Sequence, residues 1–306
     1  MVALAGCSSS KESQLTASTT TTTTTPPAPI PGVDGRFLSL GGENLYDAGL
    51  YELRLWPVRM DPLTPVRRVS SIGACQSRVI VAAAQAEVGY NDHLQVFSGG
   101  RFGPVANLGS PHAFKPTLAS DCRMLYFDFI ESNGKQEDRV HLWNPSESTD
   151  TVIASFPGVG AASWGPNSQI AVVERTPSIQ GKEQEDLAVH ILKSGTRRSL
   201  PPPAPRLSSL FWGPANWMAF GNGNEDGTIF LQPDSGERHD LAGWAPRAWS
   251  PDGKRLLVAG AERRRLGIVE LPDFSTVKPL GDAPIPVHDT VWLPAGSDPV
   301  GPITTG

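Results

Sequence analysis

The stretch that decides the fold is Trp249-Ser250-Pro251-Asp252-Gly253-Lys254-Arg255-Leu256-Leu257-Val258. Proline fixes φ at the first turn position, and Asp and Gly tolerate the bent positions after it. The segment therefore predicts a tight turn between two antiparallel strands. Weaker versions of the same unit recur at 115–127, 164–172 and 212–220. A hairpin that returns at a nearly constant spacing is typical of a closed repeat architecture.

The spacing of the prolines that open these units fits one β-propeller blade per unit. Successive opening prolines are separated by 50, 48, 37 and 43 residues, at Pro116, Pro166, Pro214, Pro251 and Pro294. Four short strands in about 40 to 50 residues is the size of a propeller blade.

Six segments have the apolar pattern of the third strand in such a unit, which predicts six blades. They are 51–58, 93–97, 139–143, 187–192, 228–231 and 266–271. A fourth strand is predicted after each following turn, at 66–70, 105–108, 151–156, 197–200, 238–241 and 276–280.

The first and last units are each incomplete, in complementary ways. The last opening strand, 290–294, has no second strand after it, and the first unit begins at 36–40 without an opening strand. We therefore predict an all-β, six-bladed β-propeller over 35–296, which the C-terminal strand closes by entering the first blade, so that no seam edge stays unpaired. Residues 297–306 are predicted to be a flexible C-terminal tail.

The composition supports a turn-rich globular domain. The chain has 306 residues, of which 31 are Gly, 29 are Pro and 39% are hydrophobic. These values favour many turns, few long helices and a real core. A net charge of −5 argues against a general nucleic-acid binder, which needs a clustered basic surface. No run of 18 apolar residues predicts a membrane-spanning helix.

The N-terminal segment Leu4-Ala5-Gly6-Cys7 resembles the bacterial lipobox, in which small residues precede a cysteine that is diacylated. Residues 1–7 are therefore interpreted as a signal-peptide remnant with Cys7 as the lipidated residue. A complete secretory signal would have a longer apolar segment before it. The alternative is an incidental or buried cysteine.

Residues 8–34 have the composition of a disordered tether. They include seven consecutive threonines, Thr19–Thr25, followed by a proline-rich run. Such a segment cannot form a packed core. About 27 extended residues span roughly 80–90 Å, enough to hold a domain clear of a membrane. O-glycosylation of the tether remains open.

The unit at 249–256 resembles the repeat of the TolB-type, WD-like β-propellers found in bacterial envelope proteins. The resemblance covers about 36–296 as an architecture, and the units at 164 and 212 lack the Asp-Gly pair. Together with Cys7, it implies an exported protein that is lipid-anchored on the outer side of the bacterial cell membrane, or on the periplasmic side of an outer membrane.

The sequence contains no pattern that predicts a metal site, a cofactor or a catalytic residue. Five histidines recur about 49 residues apart, but only His141 and His190 occupy equivalent strand positions; the others are His93, His239 and His288. No Gly-x-Ser-x-Gly elbow is present. The loop 222–227 lacks the spacing and terminal glutamate of a calcium loop and is interpreted as a tight hairpin.

Cys75 and Cys122 are the two cysteines that remain after Cys7 is assigned to lipid. In an exported protein such a pair favours a disulfide. Their registers differ by two residues, and neighbouring blades diverge outward, which favours free thiols. Both alternatives remain open.

The loops that join second to third strands share one face of the predicted propeller, which should be mostly acidic with one basic corner. A solvated surface is one interpretation, and a partner-binding surface is the functional one. Its candidate residues are Glu131, Glu137, Asp138, Glu174, Glu183, Glu185, Asp186, Glu225, Asp226, Arg263, Arg264 and Arg265.

The leading functional hypothesis is a monomeric, non-enzymatic, lipid-anchored scaffold that binds an envelope protein or a cell-wall component through this acidic face, without a cofactor and without nucleic acid. One alternative is a propeller enzyme, a hydrolase or lyase, whose catalytic residues line the channel mouth. Another is a module that binds a small ligand or a glycan.

Overall fold

The computed structural model describes residues 29–31, 33–43, 48–64, 69–84, 92–106, 108–110, 113–132, 135–176, 184–193, 195–223 and 226–300. Among these residues it contains 24 β-strands in six four-stranded sheets, and two single-turn 3-10 helices, Pro166–Ser168 and Ala261–Arg263.

Each sheet is antiparallel, and we number the sheets as blades in chain order. From the inner strand outward, blade 1 contains β24 (Val287–Leu293), β1 (Arg36–Gly41), β2 (Gly49–Leu55) and β3 (Val58–Pro62). Blade 2 contains β4 (Val69–Cys75), β5 (Arg78–Ala84), β6 (Asp92–Ser98) and β7 (Arg101–Pro104). Blade 3 contains β8 (Phe114–Leu118), β9 (Met124–Ser132), β10 (Lys135–Asn144) and β11 (Thr149–Phe156).

Blades 4 to 6 follow the same order. Blade 4 contains β12 (Val159–Trp164), β13 (Ile170–Arg175), β14 (Asp186–Lys193) and β15 (Thr196–Leu200). Blade 5 contains β16 (Leu207–Trp212), β17 (Met218–Asn222), β18 (Gly227–Leu231) and β19 (Arg238–Ala242). Blade 6 contains β20 (Ala245–Trp249), β21 (Arg255–Ala259), β22 (Arg265–Glu270) and β23 (Val277–Asp282).

The six blades form a closed ring. Each inner strand contacts the inner strand of the next blade, in the order β24, β4, β8, β12, β16, β20 and back to β24. The apolar side chains pack between neighbouring blades; one cluster, for example, joins Leu38 and Leu40 of blade 1 to Val79 and Val81 of blade 2. The molecule is therefore a six-bladed β-propeller, as the sequence predicts.

The predicted closure of the ring is confirmed. β24 pairs antiparallel with β1, with Leu38 opposite Val291 and Phe37 opposite Trp292. The Trp292 ring lies 4.6 Å from the Phe37 ring, and its Nε1 donates to the Asp34 carbonyl at 2.9 Å. The first blade is thus built from both ends of the described chain.

The six predicted third strands match β2, β6, β10, β14, β18 and β22, but the fourth strands of blades 1 and 2 were predicted too late. The chain turns at Trp56-Pro57, so β3 begins at Val58. In blade 2 it turns at Gly99-Gly100, two glycines with positive φ, and β7 begins at Arg101. Within the described residues of the segments predicted as fourth strands, 69 and 70 instead begin the inner strand β4, and 105 and 106 follow the end of β7.

The structure of the turn at 250–255 shows why Ser, Asp and Gly occur at their positions in 249–258. The Ser250 hydroxyl accepts from Arg255 N at 2.9 Å and donates to Asp252, which also accepts from Lys254 N at 3.1 Å. Gly253 has a φ of +69°, and a Cβ there would lie 2.7 Å from the backbone nitrogen of Ala215 in blade 5. Glycine is therefore required both for the turn and for the contact with the preceding blade.

The tryptophans of the repeat pack against the preceding blade. A Cβ on Gly165 in blade 4 would lie 2.2 Å from the Trp212 ring of blade 5, and one on Gly213 would lie 2.8 Å from the Trp249 ring of blade 6. The Trp249 Nε1 donates to the Phe211 carbonyl at 3.0 Å. The Trp-Gly-Pro unit is thus a contact between blades as well as a turn.

The packed domain extends beyond both predicted boundaries. At the N-terminal side, Val33 is buried, and Arg255 donates to the Pro31 carbonyl at 3.1 Å, so the end of the predicted tether packs on the ring. At the other side Val300 is buried, and its carbonyl accepts from Gly99 N at 2.7 Å. The predicted flexible tail at 297–306 is therefore wrong for 297–300. Cys7 and the tether up to residue 28 lie outside the described residues.

In the part of the chain that the structure describes, no helix has the length and apolar character needed to cross a membrane.

Candidate functional site

The centre of the ring contains a cavity of about 430 Å³ between the inner strands. We call the face that carries the second-to-third strand loops and the links between blades the loop face, and the opposite face the turn face. The lining contains many small residues, which leave the channel open: Ser70, Ser71, Gly73, Gly160, Ala161, Ala162, Ser208 and Ser209.

The charged side chains of this lining are mostly basic. They are Lys115, Arg247 and Arg263, against the single carboxylate of Asp289. Lys115 and Asp289 fall in the first half of their inner strands, which places them toward the loop face, and Arg247 is the middle residue of β20. A chain with a net charge of −5 thus has a basic channel mouth.

Lys115 has an unusual backbone conformation for an inner-strand residue. Its φ is +50°, at a register shift between β8 and β9. Its ammonium donates to the Gly160 carbonyl of blade 4 at 2.8 Å. Enclosure by the blades lowers the pKa of Lys115, and Arg175 lowers it further, while Asp138 and Asp186 act in the opposite direction. The Lys115 side chain is nonetheless exposed to the cavity.

Arg247 and Arg263 are held at the mouth by hydrogen bonds to neighbouring groups. Arg247 is buried and donates to the Val287 carbonyl of blade 1 at 3.2 Å. Arg263 Nη1 lies 2.6 Å from His288 Nδ1, and His288 Nε2 lies 2.8 Å from the Gly42 carbonyl. A carbonyl can only accept, so we assign the proton of His288 to Nε2 and let Nδ1 accept from Arg263.

Two of the predicted surface carboxylates are buried links between blades instead. Asp138 accepts from Val159 N, the first residue of the next inner strand, at 2.8 Å. Asp186 accepts from Leu207 N, the equivalent residue one blade later, at 2.5 Å, and pairs with Arg175 at 2.6 Å. Their prediction as exposed binding residues is wrong, because the N–H groups of Val159 and Leu207 are buried and need an acceptor.

The other predicted acidic residues divide between exposed positions and local ion pairs. Exposed ones are Glu131, Glu137, Glu185 and Asp226. Glu174 is half-buried and bonds His190 Nε2 at 2.5 Å. Glu183 and Glu225 lie outside the described residues.

Of the predicted basic corner, Arg263–Arg265, two arginines interact with neighbouring side chains. Arg264 pairs with Glu43 at 2.7 Å, and the guanidinium of Arg265 lies over the Trp244 ring at 4.8 Å. Of the three consecutive arginines, Arg263 alone is part of the cavity lining.

A disulfide joins Cys75 at the end of β4 to Cys122 in the turn between β8 and β9. It links blades 2 and 3 on the turn face. Cys122 has a φ of +66°, and this local backbone conformation brings its sulfur to Cys75 despite the difference in register.

His141 belongs to a buried polar cluster in blade 3, away from the channel. Its Nδ1 lies 3.0 Å from the Tyr126 hydroxyl and 3.2 Å from Asp150, and its Nε2 lies 3.2 Å from Asp128. Burial raises the pKa of Tyr126, and Asp150 raises it further. Burial alone would raise the pKa of Asp128, but Arg139 and Ser110 hold it below its usual range. Within the described ranges, no cluster of three or more His, Cys, Asp or Glu side chains forms a metal site.

Lys115, Arg247 and Asp289 line the cavity and were not predicted from the sequence. One signal could have indicated them: a charged side chain at the second or third position of an inner strand whose other residues are mostly small or apolar.

Comparisons with known proteins support the fold. No protein-family model and no curated protein matches the sequence. A chain in the crystal structure of a nidogen/laminin complex is similar at 12% identity and a TM-score of 0.58, over 87% of this chain and 100% of that chain. TolB from Acinetobacter baumannii is similar at 13% identity and a TM-score of 0.57, over 84% of this chain and 66% of the TolB chain. At these identities the likeness shows a β-propeller fold alone.

Proposed function

We propose that this protein is a non-enzymatic binding module, anchored through an acylated Cys7 to the outer side of a bacterial membrane, whose loop face binds an envelope protein or a cell-wall component. The observation that carries the proposal is that some carboxylates of the predicted surface are bonded within the ring and others are exposed. Asp138, Asp186 and Glu174 are engaged within the ring, whereas Glu131, Glu137 and Glu185 stay exposed at the loop face.

The hairpin of β9 and β10 is the best-defined part of this surface. Glu131 and Glu137 lie near its tip, opposite Gln136 and Ile130, and Phe129 on the same strand is 44% exposed. An exposed aromatic side chain next to polar residues is a feature of interaction surfaces.

A second candidate function is a module that binds a small ligand in the channel. The cavity volume favours it, because ligand pockets typically measure about 300–1,000 Å³. It is compatible with partner binding on the surrounding loops.

The lipid anchor is tested by metabolic labelling with a palmitate analogue in a bacterium that processes lipoproteins. We expect the wild-type protein to carry label and to fractionate with membranes. The variant Cys7→Ser should lose both properties. Label that survives in Cys7→Ser would refute the anchor.

The binding face is tested by placing a photo-crosslinking residue at Glu137 in intact cells. Glu147, in the exposed turn between β10 and β11 on the turn face, is the matched control position. We expect one discrete adduct from position 137 and none from 147. An adduct from 147 alone, or from neither position, would contradict the proposal.

A further inference from the structure

A groove of about 480 Å³ lies between blades 3 and 4, and two of its lining residues, Ser168 and Gly195, belong to connections on the turn face. We propose that this groove binds a small amphipathic anion, a molecule with an apolar body and one carboxylate. The groove lies away from the loop face, so this inference can fail without affecting the proposed binding there.

The apolar core between blades 3 and 4 is partly uncovered at the groove. Leu142 and Ile153 of blade 3 line it, together with Ile170 and Leu192 of blade 4. Ile170 is buried in this core, whereas the other three side chains pack against it and remain partly exposed. A concave, mostly apolar lining with a few polar groups is typical of small-ligand sites.

Between blades 5 and 6 the protein fills the corresponding space with one of its own side chains. Phe274, in the connection between β22 and β23, is buried; its ring centroid lies 4.2 Å from that of His239 and 4.9 Å from that of Phe230. In blade 4 the corresponding connection, 193–196, contains no aromatic residue. Since protein cores are close-packed, an apolar space that is filled in one pair of blades and open in another has room for a ligand.

The charged side chains that line the groove are all basic: Arg123, Lys193 and Arg197. Asp121 pairs with Arg123 at 2.8 Å, and Glu174 pairs with Arg197 at 3.5 Å. The exposed ammonium of Lys193 has no carboxylate partner among the described residues. One uncompensated cation beside an apolar lining favours a ligand with a single negative charge.

The two arginines are held against aromatic rings at the walls of the groove. The Arg123 guanidinium lies 5.1 Å from the centroid of the Trp164 ring, and the Arg197 guanidinium lies 4.7 Å from that of Phe156. Their printed bonds use Nε and Nη2, and neither Nη1 donates a hydrogen bond within the described ranges. Each guanidinium therefore retains donors for a carboxylate in addition to its ion pair.

The test is calorimetric titration of the full chain with sodium decanoate below its micelle concentration and, separately, with sodium 2-naphthoate. We expect one saturable site for at least one of the two anions. Decylammonium chloride should bind at least about fivefold more weakly than decanoate, because it reverses the charge next to Lys193. Sodium acetate, which has no apolar body, should not saturate. Absence of saturable binding by both decanoate and 2-naphthoate would overturn the proposal.

Two variants locate the site. Thr196→Phe places an aromatic ring in the groove, as Phe274 does between blades 5 and 6, so we expect lost binding and a melting temperature equal to or above that of the wild type. Lys193→Glu should weaken decanoate binding about fivefold or more. Its control is Lys254→Glu, which changes an exposed lysine in the turn between β20 and β21 and should bind like the wild type. Unchanged affinity in Thr196→Phe and Lys193→Glu would place the anion elsewhere and refute the site.

A second copy of the chain is the competing occupant of the groove. Sedimentation of the protein without ligand distinguishes the two, and we expect the same monomeric species for the wild type and for Lys193→Glu. A wild-type dimer that Lys193→Glu or Thr196→Phe dissociates would assign the groove to self-association and overturn the proposal.

Discussion

At the scale of single residues, the ring depends on glycines that allow tryptophans of the next blade to approach. Gly165 is the tightest case, because its missing Cβ would lie 2.2 Å from the Trp212 ring. The indole is buried and also bonds Asn216 through Nε1 at 3.1 Å, so it cannot move aside freely.

We expect Gly165→Ala to lower the free energy of unfolding by about 3 kcal/mol, because the added methyl group overpacks this contact. Urea unfolding followed by tryptophan fluorescence measures the loss. Gly103→Ala is the matched control, since a Cβ at Gly103 on β7 meets nothing within 4 Å. Equal midpoints for the two variants would show that the glycine–tryptophan contact contributes little.

At the scale of elements, neighbouring blades are joined by specific polar links in addition to apolar packing. Carboxylates of β10 and β14 accept from the first N–H of the next inner strand, and a disulfide joins blades 2 and 3. Each link acts between sheets that are otherwise separate hydrogen-bonded units.

We expect Asp186→Asn to lower the free energy of unfolding by about 3 kcal/mol, since an amide at this fully buried position leaves the half-buried Arg175 guanidinium without its counter-charge. Asp240→Asn, whose side chain is 60% exposed in an ion pair with Arg238, should change stability by less than about 1 kcal/mol. Chemical denaturation of both variants at pH 7 distinguishes them. Comparable losses of stability in the two variants would mean that the buried Asp186 link contributes no more than an exposed ion pair.

Reduction of the disulfide should lower the free energy of unfolding by about 2–4 kcal/mol, because the bond closes a loop with a sequence separation of 47. The measurement compares urea midpoints of the Cys7→Ser protein with and without dithiothreitol. In a Cys75→Ala/Cys122→Ala variant, dithiothreitol should have no effect. An unchanged midpoint after confirmed reduction would contradict the expectation.

At the scale of the whole molecule, several carboxylates have a pKa below their ordinary value. Lys278 and Arg255 lower the pKa of Glu270, and hydrogen bonds from Thr276 and Ser275 lower the pKa of Asp273 to about 2. The folded state therefore binds fewer protons than the unfolded state at acidic pH.

These carboxylates contribute fully to the free energy of unfolding at a pH above their ordinary pKa values, near 4. Their contribution is lost as the pH falls toward 2. We expect the melting temperature at pH 3 to lie about 5 °C or more below that at pH 7. Glu270→Gln should reduce this difference, and Glu147→Gln, at an exposed turn, should not. A melting temperature that is constant or rises on acidification would exclude this linkage.

The repeat, the number of blades and the closure could be predicted from sequence because turn chemistry is local and strands alternate with a short period. The fourth strands of blades 1 and 2 could not, since Trp56-Pro57 and Gly99-Gly100 lack the polar signature of the other turns. Asp138 and Asp186 were predicted as loop residues because charge alone does not reveal which backbone N–H a carboxylate will meet. The lining of the channel depends on three-dimensional alignment of six strands, which no single segment contains.

The pairing of β1 with β24 also has a consequence for biogenesis. Leu38 of β1 pairs with Val291 of β24, which is synthesised last. During synthesis from the N-terminus, the other five sheets can therefore assemble before blade 1 receives its inner strand. Until residue 293 has left the ribosome, the growing chain exposes an open edge at β1 that invites pairing with other nascent chains. Quality control by chaperones would have to act on that late, C-terminal event, and truncated translation products would be the species most prone to aggregate.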